Sequence, residues 1–91
     1  VTALLLTIEG RVQGVGYRDW MVREAQRQGL QGWVRNRPDG SVQALVAGDA
    51  AAVRSVVEAC RRGPLFARVK LVAEAPGTAP DEPGFRRMAD G

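Results

Sequence analysis

Apolar and polar positions alternate at the start of the chain. Between Ala3 and Glu9, residues Leu4, Leu6 and Ile8 share one face, the period of a strand. A helical period follows over 17–28. Tyr17, Met21, Val22 and Ala25 fall on one side there, while Arg23, Glu24, Arg27 and Gln28 can face water. Gly29 then supplies a residue that accepts positive φ and ends a helix. Leu30 to Asn36 reads as a second strand and Val42 to Ala47 as a third, with Val42, Ala44 and Val46 alternating. Pro38-Asp39-Gly40 between them presets one φ and frees another, so the pair reads as a hairpin. Asp49 suits the cap of a second helix, whose stripe is Val53, Val56, Val57 and Cys60. Arg61 and Arg62 fit its last turn, and Gly63-Pro64 stops it. Ala67 to Glu74 reads as a fourth strand with Val69, Leu71 and Ala73 on one face. A Pro- and Gly-rich loop over 75–84 leads to a short last strand, Phe85 to Met88, whose alternation is poor.

The order β-α-β-β-α-β predicts an α+β, ferredoxin-like sandwich: a mostly antiparallel sheet of four to five strands with two helices on one face. Each helical stripe must bury against the sheet, because no other layer can cover it. Residues 1–91 read as a single domain without internal repeats. That fold hosts many activities, so function has to come from particular residues.

Composition removes several chemistries. One cysteine cannot form an internal disulfide. The absence of histidine removes the Ser-His-Asp triad, the Cys-His dyad and the usual neutral-pH base. The uncharged start, Val1 to Ile8, is far short of the roughly 20 residues that span a bilayer, and it lacks the features of a signal peptide. A cytoplasmic protein with no membrane partner is the expectation. Thirteen Lys and Arg against ten Asp and Glu leave a net charge of +3. The arginines are scattered, so the balance favours small anions over nucleic acid.

Gly10 to Arg18 holds three glycines in nine residues, between a strand and a helix. Such a loop can curl so that successive N–H groups point inward and join those of the helix start in a concave anion site. Arg18, just past the loop, can grip two phosphate oxygens with its planar fork. Two established phosphate motifs are absent. The P-loop needs Gly-Lys where Gly16-Tyr17 stands, and the dinucleotide fingerprint needs a glycine at position 19, which is Asp19. Spacing alone leaves two readings open, an anion site or a glycine-rich turn with no ligand.

Gly-Arg-Val-Gln-Gly-Val-Gly-Tyr-Arg at 10–18 resembles the first signature of the acylphosphatases. Gly32-Trp33-Val34-Arg35-Asn36, followed by Pro38-Asp39-Gly40-Ser41-Val42, resembles the second. The likeness continues through Gly63-Pro64 and the strand from Ala67, and so covers nearly the whole chain. It implies a small free-standing acylphosphatase of ferredoxin-like fold, which cleaves acyl phosphates to a carboxylate and phosphate without metal or cofactor. Carried over by position, Arg18 holds the substrate phosphate and Asn36 orients the attacking water. The backbone amides of Gln13, Gly14, Val15, Gly16, Tyr17 and Arg18 cradle the phosphate.

That chemistry suits a chain without histidine. The departing carboxylate has a conjugate acid of pKa about 4–5 and needs no general acid. Positioning and charge neutralisation are what remains to be supplied. Competing readings are a non-catalytic anion-binding module of the same fold and a nucleic-acid binder using Trp33 and Phe85. The expected partner is a small-molecule acyl phosphate, and the expected state a monomer. Cys60, on the apolar stripe, reads as a small buried hydrophobe.

Overall fold

The alternating start of the chain forms β1 (Thr2–Arg11), the strand on which the rest of the sheet is assembled. A computed structural model describes residues 1–91. After β1 come α1 (Tyr17–Arg27), β2 (Gln31–Asn36), β3 (Val42–Gly48), α2 (Ala50–Cys60), β4 (Arg68–Pro76) and β5 (Phe85–Arg87). The sheet runs β4-β1-β3-β2-β5. Three pairings are antiparallel, and β5 alone is parallel to its neighbour β2. This is the ferredoxin-like arrangement with a five-stranded mixed sheet. No helix is long and apolar enough to cross a membrane.

The helices cover one face of the sheet. Tyr17, Met21 and Ala25 of α1 are buried, as are Val53, Val56, Val57 and Cys60 of α2. They meet Leu6, Ile8, Val34, Val42, Ala44 and Val46 from the strands in one continuous core. Asp49 caps α2 by accepting from the Ala52 amide at 3.3 Å. Tyr17 reaches across the layer, and its hydroxyl donates to the Cys60 carbonyl at 2.8 Å. That bond joins the first residue of α1 to the last of α2.

Two expectations need correction. The buried face of β4 is not Val69, Leu71 and Ala73. Val72 is buried, while Leu71 is 49% exposed and Ala73 is exposed. Glu9 pairs with Leu71 but Gly10 pairs with Val69, so Lys70 is an extra residue on β4. This bulge inverts the alternation, and Val69 and Val72 both pack on the core although three positions apart. Secondly, α2 ends at Cys60, and Arg61 is its cap. Arg61 pairs sideways with Glu58 at 3.3 Å and Glu74 at 3.2 Å.

The poorly alternating end does form a strand. Phe85 is 3% exposed and fills the core beside β2, and Gly32 is the residue that lets it approach. Gly32 has φ +138°, and a Cβ there would lie 1.8 Å from the Leu45 carbonyl oxygen and 3.1 Å from the Phe85 ring. The backbone of β3 cannot move aside for it. Gly32→Ala is therefore expected to cost at least about 2 kcal/mol, or roughly 10 °C in melting temperature. Thermal unfolding followed by circular dichroism measures it, and an unchanged midpoint would contradict this account of the β2–β3–β5 contact.

Candidate functional site

β1, the hairpin and α2 all deliver their ends to one edge of the sheet. Arg11 closes β1 opposite Arg68 at the start of β4, and Asn36 closes β2 opposite Val42 at the start of β3. The loop from β1 to α1 crosses this edge. Gly14 and Gly16 take φ of +72° and +78°, values that side chains with a Cβ rarely adopt. Gly16 caps α1 without any side-chain bond. No backbone N–H from Gln13 through Asp19 finds an acceptor in the protein. A helix start and a curled loop thus present a row of unpartnered donors, where anions bind.

Arg18 stands in the first turn of α1, its side chain 25% exposed. Asn36 reaches the same edge by strand parity. β2 alternates half-buried and buried residues, which turns Gly32, Val34 and Asn36 toward the helices. Asn36 is only 9% exposed. Its Oδ1 is the one buried side-chain polar atom of the protein without a hydrogen-bond partner. Such an atom carries a desolvation cost that a water or ligand donor would relieve. Arg18, Asn36 and the loop from Gln13 to Tyr17, all singled out by sequence, are thus brought to one edge.

Two features of this edge had no signal in the sequence. The Gln13 side chain is a clip as well as part of the loop. Its Nε2 donates to the Arg37 carbonyl at 2.8 Å and the Ser41 carbonyl at 2.9 Å, tying the loop to the hairpin that carries Asn36. The second feature is Asp90, whose carboxylate accepts from Arg18 Nη1 at 2.9 Å. The tail holding it is laid along β2 by Met88 N–H on the Val34 carbonyl, 2.8 Å, and Gly91 N–H on the Asn36 carbonyl, 3.0 Å. Contacts 72 residues apart leave no local pattern to read.

Neighbouring groups support the geometry. Asp39 accepts from the Ser41 hydroxyl at 2.6 Å and its amide at 2.9 Å, which rigidifies the hairpin turn. These bonds hold its carboxyl below the usual carboxylate range. Asp19 faces Arg87 at 2.6 Å, and its carboxyl is likewise lowered by that bond. Burial pushes the Cys60 thiol up to about 11, so it is no nucleophile. Burial also raises the Tyr17 phenol far above its ordinary value. A hollow of about 140 Å³ beside the hairpin is lined by Glu9, Gly10, Asp39, Gly40 and Ser41. No cluster of three or more metal-ligating side chains is present. Phe85 is buried, so the open face of the sheet presents a single aromatic ring on its strands, Trp33, and Arg35 stacks over it at 5.2 Å.

The acylphosphatase family profile matches residues 4–87. An acylphosphatase of Acidiphilium cryptum is 57% identical over 86 residues, 94% of either chain. The solved acylphosphatase of Bacillus subtilis superposes with a TM-score of 0.90 at 34% identity, covering 97% of this chain and 99% of that one. The acylphosphatase structure from Coxiella burnetii gives 0.91 at 30% identity, covering 96% and 92%.

The Gln13 clip is testable without reference to any reaction. Gln13→Ala removes two bonds from carbonyls that keep their backbone donors, Gly40 N–H and Arg37 N–H. The expected loss of stability is about 1–2 kcal/mol in urea unfolding. An unchanged midpoint would mean the loop is not held to the hairpin in solution.

Proposed function

This chain belongs to the acylphosphatase family and hydrolyses acyl phosphates, and we propose that Arg18, the amides from Gln13 to Arg18 and Asn36 carry the reaction. The observation behind this assignment is the pairing of two unsatisfied features at one edge. One is the row of free amides beside Arg18, and the other is the orphaned Oδ1 of buried Asn36. A phosphate dianion satisfies the first and a water molecule satisfies the second.

In the proposed mechanism the substrate phosphate lies on the loop amides, and the Arg18 guanidinium donates to its oxygens. Asn36 Oδ1 accepts from the attacking water and holds its oxygen toward phosphorus. The water oxygen bonds to phosphorus as the bridging P–O bond breaks, and the electron pair leaves with the carboxylate. Both water protons end on the phosphate, one of them passed to a phosphate oxygen. The products are RCOO⁻ and H₂PO₄⁻. The transition state is loose in most analyses, so the water needs little deprotonation before attack. Charge spreading over the phosphoryl oxygens is met by donors already in place. No imidazole is required, and none exists in the chain.

Arg18→Ala, Arg18→Lys and Asn36→Ala are each expected to lower kcat/KM by about 10²–10³ or more while the fold persists. Loss of ultraviolet absorbance on benzoyl phosphate hydrolysis follows it. Robust activity in both alanine variants would refute the assignment.

Asp90 competes with the substrate for Arg18. The pair is half open to water, with side-chain exposures of 25% and 63%. Such pairs contribute about 0.2–1 kcal/mol. Asp90→Asn is therefore expected to lower KM by up to about fivefold with kcat changed less than about twofold. A rise in KM would show instead that Asp90 holds Arg18 in its working position.

A further inference from the structure

A second cleft adjoins the proposed phosphate loop on its far side from Asn36. It is a groove of about 540 Å³ whose lining includes Trp20, Arg62, Pro64, Leu65 and Arg68. It shares a wall with the loop. The Trp20 ring stands edge-on to Tyr17 at a centroid distance of 5.2 Å, and the Trp20 amide donates to the Gly16 carbonyl at 3.1 Å. Gly63 packs so closely on Tyr17 that a Cβ would fall 2.8 Å from its ring.

In-line transfer decides which side the leaving group takes. Attacking and leaving oxygens lie on opposite sides of phosphorus. Water held by Asn36 approaches from β2, whereas the groove lies between α1, the end of α2 and the start of β4. The acyl group therefore points into the groove. Trp20 and Leu65, the latter 83% exposed, offer it an apolar floor and rim.

Charge adds selectivity. Six of the twelve arginines of this protein are already neutralised, Arg18 by Asp90 among them. Arg27 faces Glu24, Arg54 and Arg61 face Glu74, Arg86 faces Glu82, and Arg87 faces Asp19. Arg62 makes no such contact, and Arg68 bonds only to the Ala67 carbonyl, at 3.0 Å. Arg68 also stands directly opposite Arg11 in the β1–β4 register. Like charges paired in this way repel, and a bound anion relieves the repulsion. Arg11 at the end of β1, Arg37 just after β2 and Lys70 in the β4 bulge are unpaired as well.

Resting on the hydrolase reading above, we propose that this groove is the acyl subsite, and that Arg62 and Arg68 select acyl groups carrying a carboxylate of their own. The test compares succinyl phosphate with butyryl phosphate, its neutral four-carbon counterpart. The wild-type protein is expected to favour succinyl phosphate by about tenfold in kcat/KM, the worth of a charged hydrogen bond. In Arg62→Gln/Arg68→Gln the ratio falls to near unity, while kcat/KM for butyryl phosphate and inhibition by inorganic phosphate stay within about twofold. A control, Arg27→Gln/Arg86→Gln, removes the same charge elsewhere and keeps the wild-type ratio. The subsite is refuted if the wild type shows no preference. It is also refuted if the ratio survives the groove variant, if both substrates suffer equally, or if the control lowers the ratio too. A wild-type protein that hydrolyses neither substrate would instead overturn the hydrolase reading.

Discussion

Tyr17 closes the core and in the same position ends the loop that meets the phosphate. Its ring is 1% exposed, its hydroxyl donates to the last carbonyl of α2, and Gly63 is pressed against its edge. A buried phenol needs such a partner, because an unbonded hydroxyl would cost about 1–3 kcal/mol. The bond fixes where α1 starts relative to α2. That in turn fixes the direction of the amides at the helix end of the loop, which find no acceptor in the protein. The Gln13 clip anchors the other end of the same loop to the hairpin. The loop therefore stays open toward solvent because both of its ends are tied into packed structure.

That arrangement explains how so small a protein supports an exposed row of unsatisfied donors. Peptide groups at a helix start lose little by facing water, so an open cradle costs almost nothing in the absence of ligand. Asn36 is different. Its Oδ1 is buried and unpaired, and the cost of leaving it so falls on the fold. β2 tolerates this since its other inward positions, Gly32 and Val34, are packed against Phe85 and the core. Preorganisation is thereby divided between a cheap set of donors for the phosphate and one costly acceptor for the water.

Much of this was legible in the sequence because it rests on local rules. Period-2 and period-3.6 patterns gave β1, β3 and the two helices, and the Pro38-Asp39-Gly40 turn gave the hairpin. Gly14 and Gly16 of the loop, Arg18 of α1 and Asn36 of β2 were singled out through a resemblance, and the fold brings them to one edge. What stayed hidden depends on partners distant in sequence. The face of β4 was misread because a bulge opposite Glu9 and Gly10 changes parity, and parity beyond a bulge is invisible without the paired strand. The Gln13 clip spans 24 and 28 residues, and the Arg18–Asp90 pair spans 72. No spacing rule reaches so far.

The short terminal strand gains a purpose from the last of these contacts. Three residues, one of them inward, contribute little to a core that 17 other residues already fill. Yet β5 pairs in parallel with β2, and the chain continues alongside it until the Gly91 amide bonds to Asn36 and Asp90 meets Arg18. Phe85 thus anchors the segment that carries Asp90 to Arg18. A guanidinium has five N–H donors in a fixed fork, and Asp90 takes only one of them. The remaining donors have no protein partner. An arginine on the first turn of an isolated helix would sample many rotamers, at an ordering cost of about 1.5–2 kcal/mol on binding. Asp90 offsets only part of that cost, since a phosphate must outcompete its carboxylate for the guanidinium, and the net effect of the pair is to weaken binding.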